Sequence, residues 1–443
     1  MEQSNIIILC FLYTIIGIFL FIKLLKKSNK FCPAYKGFIF GVIVFYIIIP
    51  VIVLLNVEKL NQIELSRGKY CFYTIQRFIL RGQFWKFIYS ILLVFICILS
   101  FEFIYNIARK IKVKEFNKEK TIKIMKEISF ITTFIGGISL ILFFYFFGGI
   151  KQALSYAEYL RAFDTQIEGL NINGIAGIFR ILSKFVIVSP FLLIYIIRND
   201  NGSKSKLKYK IFLIFSIIMS VLYFLFNAGR SPILMFVICF IYYILHNKVK
   251  KPWLWILLVG VISLPILDIL DSLFVFLNTK EFIIKDINYL KYIYQFMFPY
   301  RNTLIVTDLV EKYGLRYGMD FATALIDIFP KMSFQASYVN TSDFFIGRNW
   351  KMYGGIPNDF ITFAYIQFSF VGIIVVSGIT GMVLGLIDKK LDNFMEEKSK
   401  YLLSAVVSVY VFSIIPYADF VSILKSNFIL VILAIIILVS DRE

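Results

Sequence analysis

The amino-acid sequence predicts an all-α polytopic membrane protein, and three observations point that way. Hydrophobic residues make up 59% of the chain, with a mean hydropathy of +0.79, whereas soluble domains sit near about 45–50%. The excess falls in long unbroken runs of the length needed to cross a hydrocarbon core about 30 Å thick. The basic residues crowd into every second link between those runs, as the positive-inside rule requires of cytoplasmic loops. Helices and closed barrels alone satisfy their backbone polar groups in lipid, and continuous apolar runs without inside/outside alternation select helices.

Eleven candidate spans follow in order: 5–22, 37–57, 87–107, 128–147, 175–197, 211–227, 231–246, 253–271, 358–386, 401–416 and 422–440. Charge assigns the sides. Lys23, Lys26, Lys27, Lys30 and Lys36 follow the first span, which puts that link in the cytoplasm and the N-terminus outside. The 108–127 link (Arg109 to Lys126), the 198–210 link, Lys248 to Lys251 and Lys389 to Lys400 repeat the basic pattern, and the C-terminus falls inside. The first run lacks a basic leader and is expected to be a retained span rather than a cleaved signal. The net charge of +19 is thereby explained by topology, and nucleic acid is not an expected partner. Five cysteines form no CxxC pair, so neither a disulfide framework nor a zinc site is expected.

The chain divides into residues 1–271 with eight spans, a large extracytoplasmic loop over 272–357, and residues 358–443 with three more spans. The loop is far longer than the other links and rich in Tyr and Phe, and long ordered loops usually carry function. Within it, Asp320 is expected to cap a helix over 321–329 ended by Pro330. Phe321, Ala324, Leu325, Ile328 and Phe329 give that helix an apolar face, with Thr323 and Asp327 opposite. A second helix is expected from about Tyr300 to Tyr313, stopped by Gly314. These helices are expected to lie over the outer mouth of the bundle, and the aromatic segment 287–298 to lie in the membrane interface.

Candidate chemistry sits on the outer side. In Asn227-Ala228-Gly229-Arg230-Ser231-Pro232, Ser231 suits an N-cap and Pro232 the first helical position. Free N–H groups there, beside the Arg230 guanidinium, would suit a phosphate or pyrophosphate; the plainer reading is a tight turn with an interfacial anchor. Arg301, Arg316, Arg348 and Lys331 stand among loop aromatics that could stack on sugars; taken singly, most are as expected of a solvated loop. Asp359, entering the ninth span after Pro357-Asn358, can cap that helix or act as a general base, and Asp327 is a second candidate base. The single histidine, His246, falls at a cytoplasmic helix end. HExxH, P-loop and GxSxG motifs are missing, and few ionisable residues fall deep in the spans, which disfavours an ion-coupled carrier. No internal repeat is visible.

Three stretches resemble bacterial oligosaccharide repeat-unit polymerases of the Wzy class, which build O-antigen, capsule and exopolysaccharide. They are Gly229-Arg230-Ser231-Pro232, the loop with Tyr300-Arg301 and Pro330-Lys331, and Pro357-Asn358-Asp359 leading into the Gly372 segment. The likeness covers roughly 210–390. It implies a GT-C-like architecture in the bacterial cytoplasmic membrane, without a cofactor or metal; the first outer loop holds Glu58 and Glu64 but no Asp. The implied reaction transfers the growing glycan from undecaprenyl pyrophosphate to the non-reducing end of an incoming lipid-linked repeat unit. The likeness casts Arg230, Arg301 and Asp359 in catalysis and Tyr300, Arg316, Lys331, Arg348 and Asp327 in substrate binding. Implied partners are undecaprenyl-pyrophosphate-linked oligosaccharides, membrane lipid, a chain-length regulator and a flippase. An odd span count departs from the family, whose members often have both ends inside. Two alternatives are a flippase or other transporter, against which the large loop counts, and an O-antigen-ligase-like transferase, which would typically carry an outer histidine.

Overall fold

A computed structural model describes residues 2–27, 30–62, 69–113, 117–157, 174–199, 203–227, 229–246, 248–249, 252–279, 290, 293, 296–327, 336–347, 355–392 and 397–439. Every regular element among them is helical. Fifteen helices organise the fold: α1 Gln3–Lys26, α2 Pro33–Leu55, α3 Phe84–Ala108, α4 Lys118–Phe147, α5 Ile175–Asn199, α6 Ser203–Phe226, α7 Arg230–His246, α8 Pro252–Thr279, α9 Phe298–Tyr313, α10 Met319–Asp327, α11 Ser337–Ile346, α12 Phe360–Asp392, α13 Glu397–Ile414, α14 Phe420–Ser426 and α15 Phe428–Val439. Short helices Val57–Gln62, Lys69–Leu80 and Ile150–Ser155 join them.

The candidate spans fall on helical segments, but 422–440 is divided at Asn427 between α14 and α15. Among the described residues, seven helices are long and apolar enough to cross a membrane: α1 to α6 and α12. Shorter apolar helices occur at Arg230–Leu245, Lys400–Ile414 and Phe428–Val439. The fold is that of a polytopic helical membrane protein.

Close backbone approach sets the packing of the central pair, α12 on α3. A Cβ on Gly381 would lie 2.5 Å from the Phe101 carbonyl, so the helices touch through small residues, as apolar helices in lipid do. Ser377 bonds the Cys97 sulfur at 3.3 Å beside them. Helix α2 packs on α13, where Ser408 donates to the Pro33 carbonyl at 2.7 Å.

Two acidic side chains near span ends are taken into the packing, Glu102 inside the expected 87–107 span and Asp388 just past 358–386. Asp388 of α12 is fully buried and accepts from the Ala34 and Tyr35 N–H groups at 2.9 and 3.0 Å and from Tyr105 at 2.7 Å. It thus serves the free N–H groups that open α2, where Cys32 makes no side-chain cap. Glu102 of α3 accepts from Tyr35 at 2.7 Å and pairs with Lys23, while Lys27 lies 3.5 Å over the Tyr35 ring.

Helix α2 also widens into a π-turn over Val44–Ile48. Pro50 cannot donate to the Tyr46 carbonyl, and its ring would collide with that oxygen in a regular turn. The extra residue per turn relieves the clash, as π-bulges do.

The large loop is built differently from a cover. Helix α9 runs where expected and ends at Gly314, whose φ of 77° spares a side chain the left-handed strain. It does not lie over the bundle: Tyr300, Leu304, Ile305, Val306 and Leu309 join the main apolar core, and α9 packs on α12, α3 and Lys69–Leu80. Helix α10 starts at Met319, so Asp320 is inside it rather than before it. Its faces depart from the expectation in part. Ala324 of the expected apolar face is buried, but Asp320 and Thr323 are buried with it, whereas Leu325 is 64% exposed and Phe321 38%. Gln367 and the Ser337 N–H draw Asp320 inward, and Phe321 packs edge-on against Phe363 and Phe420.

Candidate functional site

The loop helices converge on the head of α12. Asp359 precedes its first residue and caps it, accepting from the Ile361 and Thr362 N–H groups at 3.2 Å each. The same oxygen accepts from Thr303 of α9 at 3.3 Å and from Tyr46 of the π-turn.

One residue earlier, Asn358 ties three segments together. Its N–H and side-chain nitrogen donate to Asp419 at 2.9 and 3.0 Å, and its side-chain nitrogen also reaches Ser337 Oγ at 2.9 Å. Thr341 donates to its side-chain oxygen, and Ser337 donates to Asp419 at 3.0 Å. Helix α11 is thereby pinned to the head of α12 and to the start of α14. Burial, with the nearby Asp320 charge, pushes Asp419 up to about 7 despite these donors.

Arg301 is fully buried. Its guanidinium donates to the Asn302 side-chain oxygen at 2.7 and 3.2 Å and stacks 3.4 Å over the Phe345 ring of α11. Asn302 in turn donates to the Pro357 carbonyl at 3.0 Å, so the Arg301-Asn302-Thr303 turn of α9 is stitched to Pro357-Asn358-Asp359.

Helix α12 is broken. Phe368 and Ser369 leave helical geometry, with Ser369 at φ 55°. The chain turns back so sharply that a Cβ on Gly372 would sit 2.0 Å from the Ala364 carbonyl. The carbonyls of Ile366 and Gln367, released from the helix, accept from the Arg316 and Tyr317 N–H groups at 2.9 Å each. Non-helical backbone is tolerated in such a place when protein satisfies it. Side chains close the same break. Gln367 donates to Asp320 at 2.6 Å, Arg316 pairs with Asp320 at 2.9 Å, and the Ser337 N–H reaches Asp320 at 3.2 Å.

Arg301, Arg316 and Asp359 therefore enter one buried polar network. Tyr300 faces elsewhere, edge-on to Tyr13 at 6.0 Å and near Phe87. Arg230 stands on other helices: α7 packs on α8 and α13, not among the principal neighbours of α9. Ser231 is not the cap there. Helix α7 begins at Arg230, and the Gly229 carbonyl accepts the first turn's Ile233 N–H at 3.2 Å; Pro232 falls inside that turn, where a missing N–H costs nothing. Arg180 of α5 joins this turn through Asn227 at 3.1 and 3.2 Å. Asp327 ends α10, and Lys331 and Arg348 lie outside the described residues.

Sequence reasoning passed over Tyr46, Asp419 and Gln367 and took Asp320 for a local cap. Gln367 carried a usable signal, as a lone amide within an apolar aromatic run. Tyr46 and Asp419 carried none, because their partners are hundreds or dozens of residues away. Among the described residues no cluster of three or more His, Cys, Asp or Glu has metal-holding geometry.

The fold and this site define a polytopic helical membrane protein with a buried polar network at the end that bears its long loop. No family model matches the chain, and neither a curated protein nor a solved structure shows significant similarity to it.

Proposed function

We propose that the protein is a membrane glycosyltransferase of the repeat-unit polymerase kind, acting on lipid-pyrophosphate-linked oligosaccharides at the outer membrane face. The supporting observation is the gathering of Arg301, Arg316, Asp320, Asp359 and Asp419 into one network built from the loop and the head of α12. Guanidinium groups suit the charge that develops on a departing pyrophosphate, and a carboxylate held beside them suits a proton acceptor. The acceptor hydroxyl oxygen would bond to the anomeric carbon as the bond from that carbon to the lipid pyrophosphate breaks. The hydroxyl proton would pass to a carboxylate, with Asp359 the first candidate, and the lipid pyrophosphate would leave with its charge held by arginine. Phe345 covers Arg301, so in this reading α11 is a lid that lifts to admit substrate. Arg230, Lys331, Arg348 and Asp327 stay as further candidates for substrate contact, and eleven spans with the C-terminus inside remain the proposed topology.

The lipid-linked glycans of a strain lacking the gene test this. Single repeat units accumulating on the outer face, with long chains lost, are expected. Arg301→Ala and Asp359→Asn chains that reach the membrane in normal amount should fail to restore polymer.

The broken helix favours a second reading, a lipid-linked oligosaccharide flippase or other transporter. Discontinuous helices and unwound backbone often mark transporter binding sites. Repeat units trapped on the cytoplasmic face of the deletion strain would select that reading.

A further inference from the structure

The break divides helix α12 into two unequal parts and marks a depth. The head, Phe360 to Gln367, is wholly buried in protein. Beyond Ser369 the helix carries an exposed apolar stripe that includes Val371, Ile374, Val375, Ile379 and Met382. Phe370 lies about 30 Å of helix from the basic pair Lys389-Lys390, at about 1.5 Å per residue. That is the thickness of a hydrocarbon core. With the lysines at one headgroup level, the break at Phe368-Ser369 falls at the other.

Helix α10 is tied to that depth. The Arg316 and Tyr317 N–H groups, just before it, bond the freed carbonyls of the break. A Cβ on Gly318 would lie 3.3 Å from the Phe368 ring, and the Tyr317 and Phe368 rings lie 6.5 Å apart. Tyr317 itself is 73% exposed, as suits a tyrosine at a membrane boundary.

The described side chains of α10 divide by chemistry. Asp320, Thr323 and Ala324 are buried, whereas Met319, Phe321, Ala322, Leu325 and Ile326 are exposed. A helix facing water turns its polar side chains outward. Here the polar groups go in, and each exposed side chain is apolar. The protein side is filled by α14, where Ala324 packs with Val421 and Phe420, and the Phe321 ring meets Phe420 and Phe363. The exposed face is continuous with the lipid-facing stripe of α12 through Tyr317, Phe368 and Phe370. We infer that α10 lies in the membrane boundary, with Met319, Ala322, Leu325 and Ile326 among the acyl chains of the leaflet on the loop-bearing side. Amphipathic helices that lie in this plane bury their apolar face about 5–10 Å deep. Arg316 and Asp320 are thereby held at headgroup depth. The inference does not rest on the proposed reaction.

Power saturation of a nitroxide on the full chain, reconstituted in vesicles of phosphatidylcholine and phosphatidylglycerol, tests this. Leu325 is replaced by p-acetylphenylalanine, whose ketone takes the label and leaves the five native cysteines untouched. The ratio of collisions with oxygen to collisions with nickel ethylenediamine-diacetate should approach that of a label at Ile379, on the α12 stripe. It should exceed several-fold that of a label at Glu311, on the exposed end of α9. If the chain labelled at 325 does not accumulate, the same label at Ala322 gives the reading. A ratio equal to that at Glu311 would place the face in water and overturn the inference. Poor access to both reagents would overturn it too, and spin–spin broadening would then mark a second copy of the chain as the occupant.

Discussion

Tyr46 donates a hydrogen bond to Asp359 across more than three hundred residues of sequence. The bond joins the only π-turn among the described helices to the head of the broken helix α12. The distortion that Pro50 forces on α2 thus lies beside a polar contact that holds the candidate site.

Tyr46→Phe removes that donor and leaves the cap bonds of Asp359 in place. A loss of about 1–2 kcal/mol is expected for one hydrogen bond to a charged or partly charged acceptor. Asp359→Ala removes the cap and both side-chain contacts, and should lower the melting temperature in detergent further than Tyr46→Phe. Equal melting temperatures for the two variants and the parent would mean that the contact carries no weight.

Stability should fall as pH rises from about 4 to about 7. Burial and the nearby Asp320 charge push the Asp419 carboxyl up to about 7 in the folded chain, above the ordinary carboxyl range near 4. Between those limits the folded chain holds protons that the unfolded chain has lost, so raising pH favours unfolding. The contribution is fully present below about 4 and gone above about 7. Asp419→Asn should flatten this slope, read as melting temperature against pH; an unchanged slope would exclude Asp419 as its source.

Arg316 and Asp320 form an ion pair beside the break in α12, with side chains 15% and 3% exposed. Arg316→Ala leaves Asp320 with Gln367 and the Ser337 N–H as donors, and should cost about 3 kcal/mol. The double variant R316A/D320N should recover part of that loss, since it no longer buries an uncompensated charge. Additive losses in the cycle would deny the coupling.

Asp388→Ala should be among the most damaging single changes. It strips acceptors from the Ala34 and Tyr35 N–H groups and from Tyr105 at once, at roughly 1–3 kcal/mol for each buried donor left unmet. Asp388→Asn keeps one acceptor oxygen and should lose less. The yield of monodisperse protein after detergent extraction orders the three chains.

Much of the helical layout was legible because lipid imposes one dominant rule, that a spanning segment must be apolar and must bond its own backbone. The runs from 5–22 to 401–416 fall on helical segments for that reason, 422–440 is divided at Asn427, and Gly314 stops α9 because its own positive φ excludes most side chains. Local cap rules were less reliable where a distant partner competed. Asp359 caps α12 as its position suggests, but Asp320 serves Arg316, Gln367 and Ser337, and Asp388 accepts from the Ala34 N–H in the first turn of a helix, 354 residues earlier in the chain. Helix α11 went unanticipated, since its polar Ser, Asn and Thr residues match no apolar period, and Ser337 and Thr341 find their partners only in the distant Asn358 and Asp419.

The sequence by itself determined that this chain is a bundle of membrane helices, where the runs fall, and that Arg301 and Asp359 merit attention. Those features depend on hydropathy and on spacing within a single helix, which a linear reading contains. The tertiary structure alone decided that α9 sinks into the bundle, that α10 buries Asp320 and Thr323, that α12 breaks at Phe368-Ser369, and that Arg230 stands on different helices from Arg301. Buried polar groups must find partners wherever the fold brings them, and those partners are set by contacts between segments far apart in the chain.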